Sequence, residues 1–167
     1  MDFSTMFSML GQGFLVTLQI FFFTLVGALP LGVLVALGRM SKVKVISAIF
    51  RVYISIMRGT PLMLQLMFIY FAPYYIFGIK LSTEWSMGAC LVAFILNYAA
   101  YFAEIYRSGI QSIPTGQYEA AEVLGYSRAQ TFFKIIFPQV FKRIIPALGN
   151  EIIVLVKDTS LAFTLGI

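Results

Sequence analysis

The chain has no histidine, one cysteine, and charge on only 11% of its 167 residues. Each shortage excludes something. Without histidine there is no His-Glu-x-x-His zinc site, no Ser-His-Asp triad and no imidazole acid–base catalysis. A lone Cys90 cannot close an internal disulfide, and in its apolar run it reads as a small packing residue. Soluble domains carry about 25% charged residues, so this chain has too little polar surface to coat a water-soluble globule. A P-loop pattern, G-x-x-x-x-G-K-[ST], is also missing, so no nucleotide site of that kind is encoded.

What is present is oil. The hydrophobic fraction is 60%, and phenylalanine alone occurs 17 times. A spanning helix needs about 20 mostly apolar residues. Four stretches are candidates: 13–38, 62–77, 85–106 and about 144–156. No basic residue precedes the first, and it is too long for the apolar core of a cleavable signal. Pro30 inside it predicts a kink, which membrane helices tolerate. Gly32 and Ala36 form a small-xxx-small pair, suited to close helix approach or to local geometry alone. Arg58-Gly59-Thr60-Pro61 predicts a helix start with Thr60 as N-cap and Pro61 as first helical residue. Trp85 stands where interfacial tryptophans belong. The final SLAFTLGI is apolar and reads as unfinished.

Lysine and arginine are unevenly placed. Five lie in 39–58 (Arg39, Lys42, Lys44, Arg51, Arg58) and five in 107–143 (Arg107, Arg128, Lys134, Lys142, Arg143), against one, Lys80, in 78–84. The positive-inside rule puts the two rich segments in the cytoplasm and the N-terminus and 78–84 outside. The net charge of +5 is then explained by topology, and no nucleic-acid partner is implied.

Within the second basic segment, EAAEVLGYSRAQTFFKIIFP (119–138) interrupts the oil. Pro114-Thr115-Gly116 ends the preceding helix. Gln117 to Leu124 are helix formers, Gly125 is placed as a left-handed stop, and Ser127-Arg128-Ala129-Gln130 is a capping box opening another helix. A helix of about two turns is marginal alone. It either packs on its own protein or docks a cytoplasmic partner.

Glu119-Ala120-Ala121, Gly125, Ile135 and Pro138 match the pattern EAA-x3-G-x9-I-x-L-P, with Phe137 in place of leucine. The chain thereby resembles the permeases of ABC importers. Arg58-Gly59-Thr60-Pro61, Ile113-Pro114-Thr115-Gly116-Gln117 and Lys157-Asp158-Thr159-Ser160-Leu161 extend the resemblance, over nearly the whole chain, to the polar amino-acid subgroup of histidine, glutamine and arginine type.

The resemblance implies one all-α, polytopic, MetI-like transmembrane permease domain over 1–167, in a bacterial inner membrane. Its coupling helix would span about 115–126, with Glu119, Ala120, Ala121 and Gly125 engaging a separate ATPase. It implies a dimer of ATPases that binds ATP and Mg, a second permease subunit, an extracytoplasmic solute-binding protein and a polar amino acid as cargo. No cofactor belongs to this chain itself. Such permeases usually have five spans. Four are read here, so the last is expected to be missing from this sequence.

Polar groups inside spans are candidates for a solute site. Asn97 is midway along the third apolar stretch. Glu151 and Asp158 are seven apart on one helical face, and Lys157 lies about 100° from Asp158. Lys157 could meet a solute carboxylate and the acids its ammonium. Equally, these charges could neutralise one another or cap a helix break. Glu104 and Arg107 read as an i,i+3 ion pair, and Tyr98, Tyr101 and Tyr106 as packing or interfacial anchors. Two other classes compete. A membrane-embedded enzyme is disfavoured by the missing histidine, a single cysteine in an apolar run, and no carboxylate cluster on the cytoplasmic side beyond Glu119 and Glu122. An ion-driven secondary carrier would not need the short capped helix.

Overall fold

The computed structural model describes residues 2–167, apart from the side chains of Thr83 and Glu84. Its elements are α1 (Phe3–Arg39), α2 (Lys44–Gly59), α3 (Leu62–Phe77), α4 (Thr83–Gln111), α5 (Thr115–Val123), a short α6 (Arg128–Gln130), a wide π turn (Thr131–Ile136), α7 (Phe137–Asp158) and a closing 3₁₀ segment (Thr159–Leu165). The all-α reading stands, and no strand occurs among the described residues.

α4 is the axis. It packs against α1, α2, α3 and α7. Along α1, Ile20, Thr24, Ala28, Gly32 and Ala36 are all buried, one residue every four, which is a single helix face. Small residues there let α1 and α4 approach closely. A Cβ on Gly32 would lie 2.9 Å from Phe102 Cβ and 3.3 Å from the Ala99 carbonyl oxygen. Lipid tails are as apolar as leucine, so this van der Waals fit holds the pair together where burial from water cannot. The α4 side of the seam buries Cys90, Phe94, Tyr98 and Phe102, so Cys90 is a packing residue. Pro30 lies within α1 without ending it.

Length and apolarity single out two spanning helices, α1 and the Trp85–Gln111 part of α4. α2 and α3 together make a third if their 110° bend is taken inside one span. Of the four stretches expected from sequence, 62–77 is a helix of 16 residues, ~24 Å long and short of the ~30 Å hydrocarbon core. The fourth, 144–156, is the middle of α7, a 22-residue helix that also carries Lys142, Arg143, Glu151, Lys157 and Asp158.

The bend corrects two expectations. Thr60 is not the N-cap of α3: its hydroxyl donates back to the Ile56 carbonyl of α2 at 2.8 Å, and Pro61 is the capping position. Arg58 stands at the end of α2, beside the middle of α4. Asn97 marks that level, ~18 Å from Trp85 and ~21 Å from Gln111 along the helix. Its amide donates to the Met57 carbonyl at 3.0 Å and to Gln65 Oε1 at 2.9 Å. Gln65 Nε2 in turn donates to the carbonyls of Met57 (2.9 Å) and Thr60 (3.1 Å). The end of a helix leaves carbonyls without intrahelical donors, and inside a membrane each must find a partner. Two side-chain amides supply them.

Candidate functional site

Two sites stand apart in the fold, one at the bend and one at α5. The first is a cleft of about 550 Å³ among the α2–α3 bend, α4 and α7, lined by Arg58, Asn97, Tyr98, Tyr101, Glu151 and Asp158 among others. Three of the four residues expected from sequence to face a solute, Asn97, Glu151 and Asp158, meet here. The fourth, Lys157, is exposed and is absent from the cleft lining. One residue along an α-helix is a turn of about 100°, which suffices to put Lys157 and Asp158 on different faces.

The cation in the cleft is Arg58. Its guanidinium carbon lies 5.2 Å from the centroid of the Tyr101 ring, and Nη1 is 3.7 Å from Glu104 Oε2. Glu104 is held far more tightly by Arg107, whose Nη2 and Nε donate to its two oxygens at 2.6 and 3.0 Å. That i,i+3 pair matches the sequence expectation. Tyr98 and Tyr101 do more than anchor. The Tyr98 hydroxyl donates to Asp158 Oδ2 at 2.7 Å, and its ring is buried beside Phe94 and Phe102. Asp158 thus has one oxygen fixed by a rigid phenol, while Glu151 accepts no side-chain hydrogen bond among the described residues. The cleft offers a guanidinium, two carboxylates and apolar walls, a combination suited to a small zwitterion. No cluster of His, Cys, Asp and Glu among the described residues could hold a metal ion.

The second site is α5. It ends in a Schellman motif: Tyr126 N–H donates to Ala121 O at 3.0 Å and Gly125 N–H to Glu122 O at 2.9 Å. Gly125 has φ +79°, a backbone state that only glycine adopts without strain. The expected capping box is present in both directions, Gln130 N–H to Ser127 Oγ (3.3 Å) and Ser127 N–H to Gln130 Oε1 (2.9 Å). The next turn was not anticipated. It is wide, with Phe137 N–H reaching back to Phe132 O, and it precedes Pro138, which has no N–H to donate.

α5 and the end of α4 before it are both tied to α7. Gln139 Nε2 donates to Gln117 Oε1 at 3.2 Å, and Arg143 Nη1 donates to the Ser112 carbonyl at 2.6 Å. Beneath it Ile113, Ile136, Val140 and Ile144 form a small core. Within the motif, Ala121 is buried while Glu119, Ala120 and Gly125 are exposed. At its end Val123 and Leu124 are 87% and 73% exposed, so α5 presents an acidic and apolar surface outward.

A family described as binding-protein-dependent transport system inner membrane component matches residues 28–167. The chain belongs to this family. Its relatives include the L-cystine transport system permease protein TcyB of Bacillus subtilis, 40% identical over 153 residues that make up 92% of this chain and 64% of TcyB. A putative glutamine transport system permease of Rickettsia conorii is 41% identical over 155 residues, 93% of this chain and 70% of the relative. The arginine transport system permease ArtQ of Bacillus subtilis is 38% identical, with 93% and 70% covered. The chain therefore spans roughly two thirds of the length of these curated relatives. Among solved structures, an amino acid ABC transporter crystallised with histidines superposes with TM-score 0.85 and 36% identity, over all of this chain and 78% of the other. The methionine transporter MetNI, at TM-score 0.66 and 22% identity over 96% of this chain and 76% of the other, shares the fold.

Proposed function

We propose that this permease is the membrane subunit of an ATP-driven importer for polar amino acids, in which the cleft beside Asn97 receives the solute and α5 couples to a separate ATPase. The observation that carries the solute reading is the pairing, in one cleft, of Arg58 with Glu151 and Asp158. A free amino acid offers a carboxylate to the first and an ammonium to the others. The relatives named for cystine, glutamine and arginine transport point to the same class.

The coupling reading rests on α5 being rigidly tied inward and open outward. Ala121 packs on the protein, Gly125 sets a fixed end, and Glu119, Val123 and Leu124 face away. A helix so mounted passes force from a docked partner to α7 through Gln117–Gln139, and Ser112–Arg143 ties the end of α4 to the same helix. The assembly in this reading contains two permease subunits, two ATPases that bind ATP and Mg, and an extracytoplasmic binding protein. The N-terminus lies outside and α5 in the cytoplasm of a bacterial inner membrane.

The test is uptake of L-arginine, L-glutamine and L-cystine into proteoliposomes holding the assembled importer. Glu151→Gln is expected to cut uptake of the transported solute at least tenfold while the complex still assembles. Unchanged uptake in that variant places the solute elsewhere.

A further inference from the structure

Arg58 borders three cavities at once. One is the solute cleft. A second, of about 370 Å³, is lined by Arg39, Arg51, Glu104 and Arg107 as well. A small third one shares Arg58 and Glu104 with the second and Arg58, Tyr101 and Glu151 with the cleft. Arg58 is therefore shared by the cleft and an arginine-rich recess. It is also the loosest member of its ion network. Its contact with Glu104 is 3.7 Å, against 2.6 Å for Arg107, and its side chain is 44% exposed. Glu104 is shared unequally: Arg107 takes both oxygens in a fork, which is the strong geometry for this pair, and Arg58 has only the remainder.

We propose that Arg58 is a counter-ion divided between Glu104 and the carboxylate of a solute in the cleft, so that the Glu104–Arg107 pair, which touches no solute, sets how tightly the cleft binds. This rests on the cleft being the solute site. The α2–α3 bend holds the Arg58 backbone in place through the Asn97 and Gln65 amides, while its long side chain can swing about the Tyr101 ring between its two acceptors. A solute carboxylate draws Arg58 from Glu104. Loss of the solute returns it. Glu104 and Arg107 are positioning residues in this scheme, and they act with opposite signs. Glu104 competes for Arg58, and Arg107 weakens that competition by occupying Glu104.

The experiment is equilibrium binding of radiolabelled L-arginine, L-glutamine and L-cystine to the purified permease–ATPase complex without binding protein. The fully amidated form of whichever solute binds serves as a second probe. Glu104→Gln removes the competitor and is expected to tighten binding about two- to fivefold, the range of an exposed ion pair. Arg107→Gln frees Glu104 to hold Arg58 and is expected to weaken binding by a similar factor. Arg107→Lys, which keeps the charge but loses the fork, moves the same way by less. None of these changes should alter binding of the fully amidated solute, which has no carboxylate. If Glu104→Gln and Arg107→Gln shift affinity in the same direction, or if the amide responds as the acid does, the shared counter-ion is overturned. Absence of binding by the unaltered complex to all three amino acids overturns the solute-site reading instead.

Discussion

Gly125 shows what a single residue contributes here. Its φ of +79° closes α5, and a Cβ at that position would meet nothing within 4 Å. Any penalty from substitution is therefore conformational, about 1–2 kcal/mol for a β-branched side chain forced into the left-handed region. Gly125→Val is expected to leave membrane insertion intact and to abolish solute-stimulated ATP hydrolysis, because the helix end and the exposed Val123–Leu124 step are re-aimed. Glu119→Lys reverses the charge of an outward-facing motif residue and should uncouple hydrolysis in the same way, by at least fivefold. Undiminished stimulation in both variants would remove α5 from the coupling path. Gly125 was legible in the sequence because capping and left-handed stops are local chemistry, written within a few positions of one another, whereas Glu119 stood out only through the motif it shares with ABC permeases. Arg58 was not legible. Its meaning depends on Tyr101, Glu104 and Glu151, which sit 43 or more residues away.

Among the elements, the contact of α4 with α7 is the one that joins the two sites. It is set by Gly109, where a Cβ would lie 2.3 Å from Ile144 Cγ2 and 3.3 Å from Val140 Cγ1. Overpacking of a fitted interior costs about 1–3 kcal/mol. Gly109→Ala should therefore lower the thermal unfolding midpoint of the purified protein in detergent. The double change Gly109→Ala/Ile144→Ala should recover part of that loss, since it removes the methyl in the way. If the single change is silent, α4 and α7 are not in the contact described. Nothing in the sequence marks Gly109 as such a site, because its constraint comes from a helix more than thirty positions later. By contrast, the four-residue rhythm of small side chains in α1 is visible in Gly32 and Ala36. The structure extends it to Thr24 and Ala28 and supplies its partner, α4. The bend between α2 and α3 was half visible. Thr60-Pro61 marks the break, but the choice of Thr60 for the end of α2 over the start of α3 is made by where its hydroxyl finds a carbonyl.

For the whole molecule, the all-α class was implied by the family resemblance and agrees with apolar stretches long enough for spanning helices. Which lengths of helix cross a bilayer was less legible, since α3 is short and α7 is charged. Topology has a direct check. Cys90 is fully buried, so it contributes little background to thiol labelling. A cysteine at Lys80 should react with an impermeant reagent added to cells, and one at Ser127 only after permeabilisation. The reverse pattern would invert the orientation assigned from Lys and Arg. The proposed function makes ATP hydrolysed on the α5 side the drive for solute through the cleft. Its most direct test is solute uptake into proteoliposomes holding the assembled importer, with either ATP or an imposed sodium or proton gradient as the sole energy source. Uptake that needs ATP and ignores the gradients is the predicted result. Uptake driven by a gradient without ATP would contradict it.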